Sequence, residues 1–326
     1  MKTPADTPLS QIPVVVVTGP TAAGKTELAI RLAERFQGEV VNADSMQVYR
    51  YMDIGTAKPS MEERARVPHH LFDVVTPDIG YSAGLYAEAA RAAIREIHSR
   101  EGIPFLVGGT GMYIRAVLHG LISTGGADPE IRQRLETEAE RAREAGKPGE
   151  LHDRLRDLDP SAAQAIHPHD TRRTIRALEI IEQSGQAASV VREGHGFGGD
   201  SFNALHLVVD PGREIVSERI ERRCQAMIEA GLLREVRSLR GRGYGPELRS
   251  MQGIGYRHVN PVADGADTLA NAVVSMAADT RRFARRQRTW LRKVKDAIWL
   301  DPDAESQIVE RVGAFLEAAS DPAARP

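Results

Sequence analysis

The sequence predicts an α/β fold, a P-loop parallel sheet core with helices on both faces and a helical insertion domain. Three observations carry that expectation. A glycine-bearing loop joins an all-valine strand to an amphipathic helix. Apolar strands and helices alternate on both sides of a long middle stretch, which argues for a covered parallel sheet. The middle stretch itself has helical periodicity and no strand pattern.

In order, Val14 to Val17 is a short buried strand, and Gly19-Pro-Thr-Ala-Ala-Gly-Lys-Thr26 fits G-x-x-x-x-G-K-S/T. The following helix carries Leu28, Ala29, Leu32, Ala33 and Phe36 on one face. Gly38 to Asp44 reads as a second strand ending in an acid, and Leu71 to Val75 as a third. Leu85 to His98 is helical, with Gly102 expected at the C′ position. Pro104 to Thr110 is a strand closed by a glycine turn, and Met112 to Leu118 resumes a helix.

At Ser123-Thr-Gly-Gly-Ala-Asp128 the style changes. Asp128 and Pro129 have the chemistry of an N-cap and N1 pair. Helices are expected near 129–145, 150–157 and 170–184, followed by a glycine-rich piece at Gly194, Gly196, Gly198 and Gly199. Ala204 to Asp210 restores a strand, Glu214 to Arg240 a long helix, and Ala297 to Leu300 a late strand. The expected organisation is a disordered tail at 1–12, a discontinuous core domain at 13–124 and 203–315, an insertion domain at 125–202, and a tail at 316–326.

Composition narrows the function classes. With 326 residues and 41% hydrophobic content the chain can bury a full core. A net charge of −2 means that affinity for nucleic acid has to come from local patches. Cys224 is the only cysteine, which excludes a disulfide framework or zinc finger and fits a reducing, cytoplasmic setting. No apolar run reaches the roughly 18 residues that span a bilayer. The first residues lack an apolar signal-peptide core, so no membrane association is expected. A monomer is expected.

The phosphate loop is the strongest chemical signal. Its glycines let backbone N–H groups and a helix N-terminus converge on an anion. Lys25 adds a point charge, and the Thr26 hydroxyl can reach Mg²⁺. The chain is therefore expected to bind a polyphosphate, as ATP-binding and other nucleotide-binding proteins do. Asp44, at a strand end beside that loop, can hold a metal through water, accept a proton, or simply cap the next turn. Ser45 to Tyr49 follow it with groups able to read a substrate. Gly108-Gly-Thr110 can bring N–H groups and a hydroxyl to the phosphates, or serve as a helix-entry turn.

Two basic elements point to a second ligand. Arg172, Arg173 and Arg176 cluster on one helix with Arg192 nearby. The helix at about 273–295 has an apolar stripe of Val273, Met276, Phe283, Trp290, Leu291 and Val294. Arg281, Arg282, Arg285, Arg286, Arg288, Arg292, Lys293 and Lys295 crowd the rest. Eight cations in fifteen residues, with few acids between them, are a footprint of phosphate-backbone binding, although a solvated face is the alternative. Gln287 falls in the apolar stripe and is expected to face inward. His167 with His169, and the adjacent His69 and His70, lack a third ligand nearby and do not make a transition-metal site.

These pieces together resemble the tRNA dimethylallyltransferase family over about residues 13 to 300. The resemblance is carried by the P-loop, Asp44-Ser-Met-Gln-Val-Tyr-Arg, Met52-Asp-Ile-Gly-Thr-Ala-Lys-Pro59, Val67-Pro-His-His70 and Tyr81-Ser. Gly108-Gly-Thr-Gly-Met-Tyr113, Ile166-His-Pro-His-Asp170 with Arg173, Arg176-Ala-Leu-Glu179, Gly255-Tyr256 and Arg285-Arg-Gln-Arg-Thr-Trp290 extend it. Arg282, Phe283 and His169 stand where the family more often has Gln, Tyr and Asn. The zinc finger of eukaryotic relatives is absent, so the bacterial form is the one resembled.

The resemblance implies transfer of a dimethylallyl group from dimethylallyl pyrophosphate to N6 of adenine 37, with pyrophosphate as the other product. Gly19, Pro20, Thr21, Ala22, Ala23, Gly24, Lys25 and Thr26 would hold the donor pyrophosphate, with Mg²⁺ on Thr26. Asp44 would be the base on N6, Thr110 would bond the bridging oxygen, and Lys25 with Arg223 would neutralise the developing charge. Asp44, Ser45, Met46, Gln47, Arg132, Arg172, Arg173, Arg176, Gln252, Gly255, Tyr256, Arg257, Arg281, Arg285 and Gln287 would touch the tRNA anticodon stem-loop, whose adenine must flip out. A small-molecule kinase, a prenyltransferase acting on free AMP or ATP, and a non-enzymatic RNA binder with a vestigial P-loop are the alternatives.

Overall fold

A computed structural model describes residues 8–121, 128–195 and 202–320, apart from the side chains of Arg192, Gly194 and His195. Its centre is a parallel sheet built from β1 (Pro13–Thr18), β2 (Gly38–Asn42), β3 (His69–His70), β4 (Ile103–Val107), β5 (Asn203–Val209) and β6 (Ile298–Leu300). The strand order is β3-β2-β4-β1-β5-β6. Every pairing is parallel, with Val16 opposite both Leu106 and His206.

The helices are α1 (Lys25–Arg35), α2 (Met61–Arg66), α3 (Ala83–Ser99) and α4 (Gly111–His119), then α5 (Pro129–Glu144), α6 (Glu150–Leu158), α7 (Pro160–Ala165), α8 (Thr171–Ser184) and α9 (Ala188–His195). After β5 come α10 (Arg213–Glu229), α11 (Leu232–Gly241), α12 (Tyr256–Ala263), α13 (Leu269–Leu291) and α14 (Glu305–Ser320). On one face of the sheet Val15, Val17, Phe105 and Leu207 pack with Leu28 and Leu32 of α1 and with Ile308 and Val312 of α14. Strand alternation turns Val14 and Val16 to the other face, where they are equally buried. A strand covered on both sides cannot afford polar positions, which is why β1 is a run of valines. Among the described residues no helix is long and apolar enough to cross a membrane.

The described residues fall into two compact units. One holds those up to Leu118 and from 202 onward; the other holds those from His119 to 195. The second unit has its own core, centred on Leu135, Leu151, Leu155, Ile166, Ile175 and Leu178. Asp128 accepts from the N–H groups of Glu130 and Ile131 and Pro129 sits at the first helical position, the expected cap.

Several element expectations need correction. The stretch from Leu71 to Val75 is not a strand. Leu71 and Asp73 adopt φ of 64° and 56°, and the third strand is instead the His69–His70 pair. The left-handed residue after α3 is Glu101 (φ 64°), not Gly102. Gly102 is the next residue, whose N–H reaches Ile97 O at 3.0 Å to close a Schellman turn. The long helix expected from Glu214 to Arg240 is two, broken where Gly231 turns left-handed at φ 102°. The tail expected at 316–326 is helical through Ser320, because α14 anchors Ile308 and Val312 in the core; residues 321–326 lie outside the described residues. Helices α2, α7, α9, α12 and α14 are additional to those expected. The disordered tail expected at 1–12 is contradicted from residue 8 onward, where Leu9–Gln11 form a 3-10 turn and Leu9 and Ile12 are buried. Residues 1–7, the expected boundary between 124 and 125, and the glycine-rich piece at Gly196, Gly198 and Gly199 lie outside the described residues.

Candidate active site

The carboxyl ends of β1, β2 and β4 meet at the phosphate loop, as a parallel sheet requires of its ligand site. Gly19 leaves β1 at φ 152°, and a Cβ there would lie 2.1 Å from Val209 O. Gly24 turns left-handed at φ 92° to start α1 without a side-chain cap. The first N–H groups of α1 are therefore left for an anion. Lys25 Nζ folds back on the loop, donating to Gly19 O at 3.1 Å and Pro20 O at 2.8 Å. Burial pushes its ammonium down to about 8, and the Arg223 guanidinium adds to that push while Asp44 opposes it. Burial likewise pulls Arg223 downward, again against Asp44. Lys25, Arg223 and Asp44 thus sit within electrostatic reach of one another.

Asp44 lies two residues beyond the end of β2. Its Oδ1 accepts the Met46 N–H at 2.8 Å, so the turn-capping role weighed from sequence is present. That role uses one oxygen only. Among the described residues nothing donates to Oδ2, which remains able to take a proton. Beneath it, Tyr86 Oη donates to Asn42 O at 2.8 Å and stacks on Tyr113 with centroids 3.8 Å apart. Thr110 Oγ1 accepts the Ser45 N–H at 3.0 Å and its N–H donates to Ala43 O at 3.1 Å. The Gly108-Gly-Thr110 turn therefore ties the β4 end to the Asp44 segment.

A cavity of about 300 Å³ opens over these groups. Thr21, Asp44, Ser45, Met46, Thr110, Arg223, Gln252 and Arg257 line it, all of them among the residues singled out in the sequence. Ile220, Cys224, Met227, Met276 and Phe283 form an apolar wall on the same cavity. One space therefore joins part of the phosphate loop, a guanidinium, a carboxylate, a hydroxyl and an apolar wall. A larger cavity of about 820 Å³, lined by Tyr51, Lys58, Met61 and Arg64 among others, includes no residue of the loop and shares only Arg223 and Met227 with the smaller cavity. We assign the chemistry to the smaller one because the reactive groups face it.

Sequence reasoning missed a support for this cavity. Glu235 of α11 accepts from the N–H groups of Asp53, Ile54 and Gly55 at 2.8–3.1 Å and from Tyr256 Oη at 2.7 Å. The loop so held passes two carbonyls, Thr56 O and Ala57 O, to Gln47 Nε2 at 3.1 Å each. Gln47 is three residues from Asp44. Nothing in the sequence signals a carboxylate whose partners are three backbone amides about 180 residues away.

The basic helix divides into two kinds of arginine. Arg288 was expected among its exposed cations; instead it is buried, and its guanidinium grips Asp210 with two hydrogen bonds of 2.6 Å. Burial raises the Asp210 carboxyl, but the bonds from Arg288 and the Gly212 N–H hold it below the usual range overall. Arg281 pairs with Glu221, and Arg257 and Arg282 converge on Asp279. Arg282, Arg285, Arg286 and Lys293 surround a surface hollow with Trp290. Val273, Phe283, Trp290 and Val294 are only half-buried; Ala272, Ala277 and Ala284 do more of the burying than the expected stripe.

Two expected tRNA contacts have side chains turned into the protein. Gln287 Oε1 accepts the Thr21 N–H at 2.8 Å while Nε2 donates to Gly109 O at 3.0 Å. A Cβ on Gly109 would come within 2.2 Å of that nitrogen, which is why glycine is needed there. Tyr256 is fully buried, with its hydroxyl on Glu235. Gly255 at φ 96° shapes the turn that delivers it. In the second unit, Arg132 and Arg176 both pair with the buried Glu179, whereas Arg172 and Arg173 are exposed. The side chain of Arg192 lies outside the described residues.

The Thr26 hydroxyl sits in the first turn of α1. Among the described residues no group of three or more His, Cys, Asp or Glu is placed to hold a metal ion. The Thr26 hydroxyl is a hard oxygen donor, of the kind that magnesium takes.

A family profile described as IPP transferase matches residues 47–294, and one described as isopentenyl transferase matches residues 12–70. A tRNA dimethylallyltransferase of Desulfosudis oleivorans is 48% identical over 288 residues, 88% of this chain and 90% of that protein. A tRNA dimethylallyltransferase 2 of Geotalea uraniireducens is 47% identical over 307 residues, 94% of this chain and 98% of that protein. The solved tRNA isopentenylpyrophosphate transferase of Bacillus halodurans superposes with a TM-score of 0.68 at 39% identity, covering 95% of this chain and 98% of its own. A eukaryotic dimethylallyltransferase solved while acting on tRNA gives a TM-score of 0.79 at 28% identity, with 94% and 79% covered.

Proposed function

The chain belongs to the tRNA dimethylallyltransferase family, and on that footing we propose that it transfers a dimethylallyl group from dimethylallyl pyrophosphate to N6 of adenine 37 in tRNA. The observation that carries this reading is the shared cavity. Thr21 of the phosphate loop, Asp44, Thr110 and Arg223 face the same space as Gln252 and Arg257, on the side expected to meet RNA.

In this reading the loop N–H groups, Lys25 and Arg223 bind the donor pyrophosphate. Thr26 would hold a magnesium ion, which supplies further neutralisation of the phosphate oxygens when bound. The prenyl tail lies along Ile220, Cys224, Met227, Met276 and Phe283, whose apolar surface keeps water from the reacting carbon. The flipped adenine brings its N6 between Asp44 and the first carbon of the tail. The N6–carbon bond forms as the carbon–oxygen bond breaks, and both electrons of that bond leave with pyrophosphate. One N6 proton passes to the free oxygen of Asp44. Thr110 donates to the bridging oxygen, and Lys25 and Arg223 stabilise the charge that grows there. Exocyclic adenine nitrogen is a poor nucleophile, so a site rich in phosphate binders and furnished with one base matches the demand.

RNA is held by the exposed cations around Trp290 on α13 and by Arg172 and Arg173 of the second unit. Stacking and phosphate contact together are how a splayed loop is recognised.

One assay with two acceptors tests the proposal. The protein, Mg²⁺ and labelled dimethylallyl pyrophosphate are mixed with tRNA lacking the modification, or with free AMP. Label on tRNA alone is the expected result. Label on AMP would keep the chemistry and replace the partner; no label, with ATP consumed on a small acceptor, would replace the reaction by a kinase's.

A further inference from the structure

Arg219 lies on α10 four residues before Arg223, so the two guanidinium groups leave one face of the helix. Ile220, Arg223, Cys224 and Met227 continue that face along the cavity wall. Arg219 Nη1 stands 3.6 Å from the position that a Cβ on Gly24 would take, which puts its guanidinium against the phosphate loop where α1 begins. Gly24 is left-handed and offers no capping side chain, so the amides beside Arg219 are open to the same anion.

Its surroundings differ from those of two arginines on the neighbouring helix α13, which have counter-ions. Arg281 has Glu221 and Arg288 has Asp210. Among the described residues no carboxylate or carbonyl takes a hydrogen bond or ion pair from Arg219, although the residue is half-buried. A partly desolvated cation without a counter-ion raises the potential of the space it faces, and an incoming anion restores the balance. Pyrophosphate carries more negative charge than Lys25 and Arg223 together neutralise.

We propose that Arg219 is a pyrophosphate-binding residue, a second guanidinium on the group that leaves in the prenyl transfer. The proposal rests on the reading that the phosphate loop holds the donor pyrophosphate. A guanidinium can take two phosphate oxygens at once, which fixes orientation as well as charge. Gly24 serves the arrangement by leaving the approach clear.

The test uses inorganic pyrophosphate with Mg²⁺ as the probe, titrated calorimetrically into wild-type protein, Arg219→Gln, Arg219→Lys and Lys25→Ala. Arg219→Gln is expected to weaken pyrophosphate about tenfold and to raise KM for dimethylallyl pyrophosphate in step, as loss of a charge-assisted pair does. Arg219→Lys should fall between, and tRNA affinity should stay at the wild-type value in both. Wild-type pyrophosphate affinity in Arg219→Gln, with Lys25→Ala impaired, overturns the assignment of Arg219 alone. Wild-type affinity in both overturns the phosphate-loop reading and this proposal with it. A matched loss of tRNA affinity in Arg219→Gln would mark a structural role and also reject the proposal.

Discussion

Gln287 and Thr21, 266 residues apart in sequence, are joined by a 2.8 Å hydrogen bond from the Thr21 N–H to Gln287 Oε1. The same side chain donates to Gly109 O, so one amide group spans the phosphate loop and the β4 turn. Helix α13, whose exposed cations are proposed to meet RNA, is thereby tied to the phosphate loop.

Replacing Gln287 by Glu keeps the acceptor for Thr21 but turns the donor facing Gly109 into a second oxygen. Pyrophosphate affinity should fall about tenfold and stability by about 1–3 kcal/mol, the cost of a buried carbonyl left without its partner. Calorimetric titration and thermal melting measure the two.

Asp44→Asn preserves the oxygen that caps Met46 and removes the base. Turnover should fall by about 10²–10⁴ with tRNA affinity unchanged. Single-turnover transfer against a filter-binding isotherm separates the two quantities, and near-normal turnover would remove Asp44 from the mechanism.

Arg285→Ala and Arg288→Ala should fail in different ways. The first should weaken tRNA binding and lower the salt slope by about 1, because an exposed phosphate contact is lost. The second leaves Asp210 without its partner in a largely buried site, and should cost about 3 kcal/mol of stability. Salt-dependent binding and denaturant melts check the pair.

Lys25 titrates at about 8 in the free protein because burial, with Arg223, disfavours its charge. The charged form is present below that pH and is lost above it. kcat/KM for dimethylallyl pyrophosphate should therefore fall as pH rises through about 8, and Lys25→Arg should move this limb beyond the measurable range.

Local chemistry was legible and long-range pairing was not. The phosphate loop, the Asp128–Pro129 helix start and the inward-facing Gln287 each follow from neighbours within a few residues. The Arg288–Asp210 pair does not: helical periodicity puts Arg288 at the margin of the stripe, and its partner is 78 positions away. The Glu235 clamp is hidden for the same reason, since backbone amides leave no mark in the side-chain pattern. The Gly231 break was visible as a glycine between two amphipathic runs, but one apolar period continued across it. Likewise the two-residue β3 is too short to show alternation, and Glu101 adopts a conformation that glycine beside it would have suggested for itself.

The most direct measurement is the identity of the product nucleoside. Unmodified tRNA is incubated with the protein, Mg²⁺ and dimethylallyl pyrophosphate, digested, and analysed by mass spectrometry beside the same tRNA carrying guanine at position 37. The account requires N6-dimethylallyladenosine from the first tRNA and none from the second. Prenylation that survives the guanine substitution, or an unmodified first tRNA, would contradict it.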